Sequence, residues 1–178
     1  MSDTPAIPAR FLSSVVAAAI IGSHAAVAAF EAKVTDPDFT ITVPALPDIA
    51  LQRQPAGAGS SPRLLGDDGT YKVAVVLSAA TGSASARECA SLGLRSILSR
   101  PGMPSRENVY RAPLSATTFL VLYAVSEGPQ PRLHAHLLSA AGDKQCTEVQ
   151  FSRPARAGED VDDWRRTFSG AHIDAATR

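Results

Sequence analysis

The feature of this sequence that most constrains its fold is a run of apolar residues at 117–126. The run, TTFLVLYAVS, puts apolar side chains on both faces of an extended chain, which predicts a central strand covered on both sides. Segments 132–139 and 144–152 have further strand patterns and follow after short connections. Antiparallel strands can be joined by a tight turn, whereas parallel strands need a crossover of about a dozen residues or more. The sequence therefore predicts an antiparallel meander.

Three further elements complete the predicted domain. Residues 71–79 alternate in hydrophobicity as strands do, and small and apolar side chains at three- and four-residue spacing predict a helix at 84–99. A second helix is predicted from about residue 158, where acidic residues suit the positive end of the helix dipole. The order β-α-β-β-β-α describes a small two-layer α+β sandwich, with a mostly antiparallel sheet and its helices on one face.

The single tryptophan has two interpretations. Trp164 precedes Arg165 and Arg166, and tryptophan and arginine are enriched at binding hot spots. Trp164 also shares one stripe of its predicted helix with Val161 and Phe168. That periodicity favours a place for Trp164 in the core.

An apolar stretch at 11–30 decides the compartment in which the chain works. Its first part, 11–21, carries no charge and suits the hydrophobic region of a signal peptide, which spans about 7–15 residues. Ala26 and Ala28 then form the small-x-small pattern that a signal peptidase recognises. Residues 1–29 are therefore predicted to be a signal peptide cleaved after Ala28 or Ala29, and the mature protein is predicted to be periplasmic or secreted.

Two other interpretations of this stretch stay open. About 20 apolar residues can cross a hydrocarbon core of about 30 Å, so the segment can be an uncleaved inner-membrane anchor with the domain in the periplasm. His24 would lie inside that span, which weakens insertion without excluding it. The third interpretation is a buried N-terminal helix of a cytosolic domain.

The whole chain has 178 residues, which allow one modest domain, and composition divides the part after the N-terminal stretch. Residues 30–68 are rich in Pro, Gly and Ser and are predicted to be an extended arm or linker, in which only 39–43 has a strand pattern. Residues 69–172 form the predicted α+β domain, and 173–178 a tail. The composition of this arm is typical both of a membrane-proximal stalk and of a long surface loop, so both interpretations stay open.

Cys89 and Cys146 predict one disulfide bond if the chain is exported, and two buried thiols if it is cytosolic. The pattern contains a conflict. Cys89 lies on the buried stripe of its helix, whereas Cys146 shares a strand face with the polar residues Glu148 and Gln150. The disulfide is therefore expected only if strand pairing begins after Cys146 or the strand contains a bulge there.

His134 and His136 lie two residues apart in a predicted strand, so both project from the same face. Paired imidazoles can bind zinc or copper, but a site needs a third and usually a fourth ligand. His172 and Asp174 are candidates for these positions only by elimination. The competing interpretation is a solvated strand face. It is favoured because two histidines alone are weak evidence for a metal site.

Ser83 and Ser85 lie in a loop between a strand and a helix N-terminus, where backbone donors and the helix dipole favour an anion. The loop lacks the glycine spacing and the lysine of a P-loop, and capping by serine explains it without a ligand. No serine, histidine and acid occur in a recognisable order of a nucleophilic triad. No catalytic residue and no cofactor is therefore predicted.

The balance of 17 basic and 17 acidic residues leaves no overall positive field that would attract nucleic acid. Membrane contact is expected only through the N-terminal stretch, if it is uncleaved. These features favour a non-enzymatic protein of the bacterial envelope that binds or scaffolds another envelope protein. The alternative is a small secreted enzyme or metal-binding protein that uses His134 and His136, and a third interpretation is a secreted effector or inhibitor.

Overall fold

The computed structural model describes residues 29–35, 38–55, 63–79, 85–127, 130–140 and 145–175. Within these ranges the elements are β1 (Phe30–Thr35), β2 (Asp38–Val43), β3 (Gln52–Gln54), β4 (Arg63–Asp67), β5 (Lys72–Ala79), α1 (Ala86–Leu98), a short 3-10 helix (Arg106–Asn108), β6 (Tyr110–Pro113), β7 (Thr118–Glu127), β8 (Gln130–Ala140), β9 (Gln145–Pro154), α2 (Val161–Thr167) and β10 (His172–Ala175). The protein is α+β and mostly antiparallel sheet, as predicted.

The larger sheet contains the predicted meander. Its seven strands lie in the order β3-β4-β5-β9-β8-β7-β6, and every neighbouring pair is antiparallel. The consecutive neighbours β7, β8 and β9 confirm the meander. The strand β7 has buried side chains on both faces, as its apolar pattern predicts, but β9 is the middle strand because β5, β4 and β3 extend the sheet beyond it.

A smaller sheet of three antiparallel strands, in the order β1-β2-β10, corrects two predictions. The strands β1 to β4 all arise from 30–68, so the extended arm predicted there is wrong for the described residues. The strand β10 arises mostly from the predicted tail. The alternate side chains Phe39, Ile41 and Val43 of β2 are at most 1% exposed. Such short strands contain too little local pattern to reveal which distant segment they pair with.

The two helices lie on opposite faces of the larger sheet, so their predicted placement on one face is wrong. Helix α1 packs in one cluster with Val121, Tyr123 and Leu138. Helix α2 packs on the other face, in a cluster that includes Leu122 and Leu137. The smaller sheet shares this second face with α2, and the protein therefore has three layers instead of two. A helical stripe shows that a helix packs on a sheet, but both faces of β7 are apolar and either could accept it.

Trp164 anchors α2, and its predicted place in the core is confirmed because it is fully buried. Its ring meets that of Phe168 edge-on, with 4.9 Å between the centroids. The guanidinium of Arg153 lies 4.6 Å from the Trp164 ring centroid and forms an ion pair with Glu159. The buried cation therefore has both an aromatic face and a carboxylate as partners.

The described residues contain no helix whose length and apolar character would allow it to cross a membrane. The predicted signal peptide or anchor lies outside the described residues, apart from its last residue, Ala29, which is exposed. Ala28, the other predicted cleavage position, is not described. The choice between a cleaved signal and an anchor therefore stays a prediction.

Candidate functional site

Five polar side chains form a cluster on the face of the larger sheet that α1 covers. They are Tyr123 of β7, His134 and His136 of β8, and Glu148 and Gln150 of β9. The antiparallel register places Tyr123 opposite His134, and His136 opposite Gln150. Because side chains alternate along a strand, all five project from one face. We call this set the polar cluster.

A chain of hydrogen bonds runs through the middle of the polar cluster. The hydroxyl of Tyr123 lies 2.8 Å from Nε2 of His136, and Nδ1 of His136 lies 2.7 Å from Oε1 of Glu148. A carboxylate only accepts, so Nδ1–H of His136 donates to Glu148, and Nε2 of the same ring pairs with the Tyr123 hydroxyl. The His136 side chain is fully buried. Its two hydrogen bonds therefore fix the imidazole in one orientation inside the protein.

His134 is held mainly by stacking. Its ring lies nearly parallel to the ring of Tyr123, with 5.0 Å between the centroids. The amide nitrogen of Gln150 donates to Nδ1 of His134 at 3.3 Å, which places the ring proton on Nε2. That nitrogen is buried and has no hydrogen-bond partner among the described residues. An unpartnered buried donor costs stability, which identifies His134 as the least satisfied member of the cluster.

The environment keeps His134 uncharged and Glu148 charged. Burial lowers the pKa of His134 to about 4, and electrostatic interactions with His136, Arg132 and Arg100 act in the same direction. Burial by itself would raise the pKa of Glu148, but its hydrogen bond with His136 and its electrostatic interactions with His136 and Arg100 outweigh burial and lower it. The cluster therefore holds a neutral His134 and an ionised Glu148 at neutral pH.

The structure brings the two predicted histidines together but gives them different surroundings from those predicted. His134 is 7% exposed and His136 is fully buried, so the solvated strand face favoured by the two-ligand motif is wrong. The physical reason is that α1 covers this face. No group of three or more His, Cys, Asp or Glu side chains in the described ranges is placed to hold a metal ion. His172 instead lies near Asp174 in β10, with 3.3 Å between Nε2 and the carboxylate.

A disulfide bond joins Cys89 of α1 to Cys146 of β9 beside the polar cluster. The Cα atoms are 5.3 Å apart, within the usual range of about 4.4–6.8 Å. The strand needs no bulge there, because Cys146 pairs in regular register with Ser78 and Ala140. The predicted conflict disappears because α1 covers the polar face of β9 rather than its apolar face. Helix α1 thus reaches the sulfur atom of Cys146 from the side on which Glu148 and Gln150 lie.

The N-terminus of α1 binds a carboxylate of its own chain. Ser85 is the N-cap, and its hydroxyl oxygen accepts a hydrogen bond from the backbone N–H of Glu88 at 3.2 Å. The Glu88 carboxylate in turn accepts from the Ser85 backbone N–H at 3.1 Å. This capping box is the alternative to the anion site predicted at Ser83 and Ser85. Ser83 lies outside the described residues.

An open groove lies beside the polar cluster, on the part of the same sheet face that α1 leaves uncovered. It encloses about 1110 Å³ of space that is continuous with solvent. Its lining comes from β3, β4, β5, β9 and the segment before β3: Ala50, Gln52, Leu65, Gly66, Asp67, Lys72, Val73, Ala74, Gln150 and Ser152. Gln150 belongs to both the groove and the polar cluster. We call this feature the sheet groove.

Three members of the polar cluster, Tyr123, Glu148 and Gln150, were not predicted to be site residues. The available signal was the register: a tight meander that places 132–139 against 144–152 brings the two histidines near Glu148 and Gln150. Tyr123 lies in an apolar run, where an aromatic residue is typical of the core. Its hydroxyl acquires a partner only through strand pairing.

Comparisons with known proteins do not connect the chain to a family. No protein-family profile matches it, and no curated protein sequence matches it. Among solved structures, a crystal structure from Bacteroides thetaiotaomicron is similar, with a TM-score of 0.44 and 11% sequence identity. The match covers 79% of this chain and 46% of that chain. This chain thus spans less than half of that protein, and no functional argument rests on the likeness.

Proposed function

We propose that this chain is an exported bacterial envelope protein whose folded domain is a non-enzymatic binding or scaffolding module. Its partner is another envelope protein, and it works in the periplasm or outside the cell. The observation that carries the proposal is the disulfide between Cys89 and Cys146, because such bonds form and persist in oxidising compartments. The alternative location keeps the domain in the periplasm on an uncleaved N-terminal anchor.

Two features support a binding role over catalysis. The imidazole of His136 is enclosed and both its nitrogens have protein partners, so it is not presented to a substrate. The sheet groove, in contrast, is open and mixes apolar side chains with groups that form hydrogen bonds. We propose that the sheet groove is the surface that receives the partner.

The first experiment tests the compartment. The full chain is expressed in a bacterium with a periplasm, the cells are fractionated, and free thiols are titrated in denatured, unreduced protein. The proposal expects periplasmic or membrane-bound protein with no reactive thiol. Cytosolic protein with two reactive thiols would overturn it. N-terminal sequencing of the same material distinguishes the forms, since a start at Ala29 or Phe30 shows cleavage and an intact N-terminus in the membrane fraction shows an anchor.

The second experiment tests the groove. A photo-crosslinking amino acid replaces Gln52, an exposed groove residue, and a matched variant carries it at Arg95, exposed on α1. The proposal expects a defined crosslinked envelope protein from position 52 alone. Equal labelling from both positions, or none from position 52, would remove the groove from the proposal.

The alternative, a secreted enzyme or metal-binding protein that uses His134 and His136, has its own test. The exported protein is subjected to elemental analysis and to thermal unfolding with added zinc or copper. The binding-module proposal expects no stoichiometric metal and no shift in the unfolding midpoint. Bound metal that is lost in a His134→Gln variant would favour the alternative instead.

A further inference from the structure

A second pocket lies at the open end between the two sheets, away from the sheet groove. It is lined by the end of β1 in the smaller sheet and by β3, β4 and β5 in the larger one. The volume open to a ligand is about 80 Å³, smaller than the range of about 300–1,000 Å³ of drug-sized ligand sites, so the pocket suits a slender ligand. We call it the seam pocket.

The floor of the seam pocket is apolar. It consists of Val34, Leu64, Val75 and Leu77. Val34 and Val75 belong to the main core, and the half-buried Leu64 and Leu77 pack against that core at its edge. The pocket is therefore the place where the core between the two sheets meets solvent. An alkyl chain placed there would remove additional apolar surface from water, which is favourable.

The rim of the seam pocket is cationic. Lys33, Arg53 and Arg63 are exposed and line the pocket, together with Thr35. No acidic side chain belongs to the described lining, and none of the three cations forms an ion pair with a described residue. This pocket differs from the surface of α2, where Arg165 and Arg166 each pair with an aspartate. Three cations that have no ion-pair partner within the described ranges surround one opening and attract a negatively charged group.

We propose that the seam pocket binds a small amphipathic anion, namely a carboxylate carried on a medium-length alkyl chain. The carboxylate is bound at the rim, where the planar guanidinium groups of Arg53 and Arg63 match its geometry. The alkyl chain lies on the apolar floor between the sheets. This site is separate from the sheet groove, so the proposal goes beyond the binding role assigned there.

Decanoate is the probe, titrated into the exported full chain and followed by calorimetry. Acetate carries the head group without the chain, and decyltrimethylammonium carries the chain with the opposite charge. The proposal expects saturable binding of decanoate and affinity at least about tenfold weaker for each of the other two compounds. Absence of saturable decanoate binding would overturn it, and so would equal affinity for either control compound.

A pair of double variants locates the site. Arg53→Gln with Arg63→Gln removes two rim cations, whereas Arg87→Gln with Arg95→Gln removes two exposed arginines of α1 and changes the net charge equally. The rim variant is expected to weaken decanoate binding about tenfold, and the α1 variant to leave it unchanged. Circular dichroism checks that both remain folded. Equal weakening in both variants, or none in the rim variant, would overturn the proposal.

Discussion

The two faces of the larger sheet differ in how their buried surface is built. The face that meets α2 and the smaller sheet is closed by apolar contacts, with Phe151 at its centre between Phe30 and Phe168. The face under α1 has a smaller apolar cluster and buries Tyr123, His134 and His136 beside it. We call these the apolar face and the mixed face.

The difference shows that the two faces of one sheet are stabilised in different ways, one by apolar packing and the other also by hydrogen bonds and a disulfide. Apolar packing needs no specific partner, so the apolar face gains stability mainly from buried area, with the Arg153–Glu159 ion pair at its edge. Most polar groups buried on the mixed face have a hydrogen-bond partner, Nε2 of His134 being an exception among the described residues, and the disulfide additionally joins this face to α1. A close approach helps here, because a Cβ on Gly93 of α1 would lie only 2.7 Å from the Leu138 side chain. Four predictions test this contrast.

The largest effect is expected from the apolar face. Phe151→Ala removes a fully buried ring and should lower the free energy of unfolding by about 3–5 kcal/mol, because it leaves a cavity between two sheets. Phe119→Ala on the mixed face is the matched control, since Phe119 is half-buried, and it should cost less than half as much. Denaturant unfolding of both variants measures the contrast. Equal losses would show that the faces do not differ.

Removal of the disulfide should affect the mixed face selectively. The double variant Cys89→Ala with Cys146→Ala should lose about 3–4 kcal/mol of stability, since the bond closes a separation of 57 residues in the unfolded chain. Amide hydrogen exchange should accelerate in α1 while α2 stays protected. The reduced parent protein serves as the control and should resemble the variant. Uniform acceleration in both helices would contradict a face-specific role.

The hydrogen bond between Tyr123 and His136 is the third test. Tyr123→Phe leaves a buried imidazole nitrogen without its hydrogen-bond partner and should cost about 1–3 kcal/mol, although the ring and its stacking are kept. Tyr110→Phe, on the neighbouring strand β6 and half-buried, should change stability by less than about 0.5 kcal/mol. Chemical denaturation compares the two variants. If Tyr123→Phe were neutral, the polar cluster would have no specific structural role.

The smallest effect is a pH dependence that originates in His134. Its pKa is about 4 in the folded protein against an ordinary value of 6.5, so below pH 6.5 the unfolded chain binds a proton that the folded protein does not. Stability should therefore fall as the pH decreases from 6.5 to about 4, by about 1 kcal/mol between pH 7 and pH 5.5. The lowered pKa of Glu148 acts in the same direction, but only below its ordinary value of 4.5.

Unfolding free energies measured across this pH range in the parent protein and in His134→Gln check the assignment. The variant should lose the slope between pH 6.5 and 5 and keep the loss below pH 4.5 that the lowered pKa of Glu148 causes. An unchanged slope in the variant would assign the titration to another group.

Much of the fold follows from local pattern. The helix predicted at 84–99 is α1, the meander strands agree with β7, β8 and β9 within a few residues, and the strand predicted at 39–43 is β2. The strands β1, β3, β4 and β10 were missed because each is short and lies near proline or glycine. Their pairing depends on segments far away in the sequence, which local periodicity does not encode.

The candidate site was predictable in part. Strand alternation correctly placed His134 and His136 on one face and grouped Cys146 with Glu148 and Gln150. It could not show that this face is buried, because the polar residues suggested solvent. The covering layer is α1, and its position beside β9 is set by packing and by the bond from Cys89.

By itself, the sequence determined the class of the fold, the main helices and strands, and which side chains share a face, because these depend on periods of 2 and about 3.6 residues. Only the tertiary structure decided which layer covers each face. That choice changed a strand face expected to be solvated into a buried cluster and removed the need for a bulge at Cys146. It also folded the expected arm into two sheets and left three cations around the open end between them. The physical reason is that a side chain's dielectric surroundings and partners come from residues distant in the chain, whereas periodicity records only its direction.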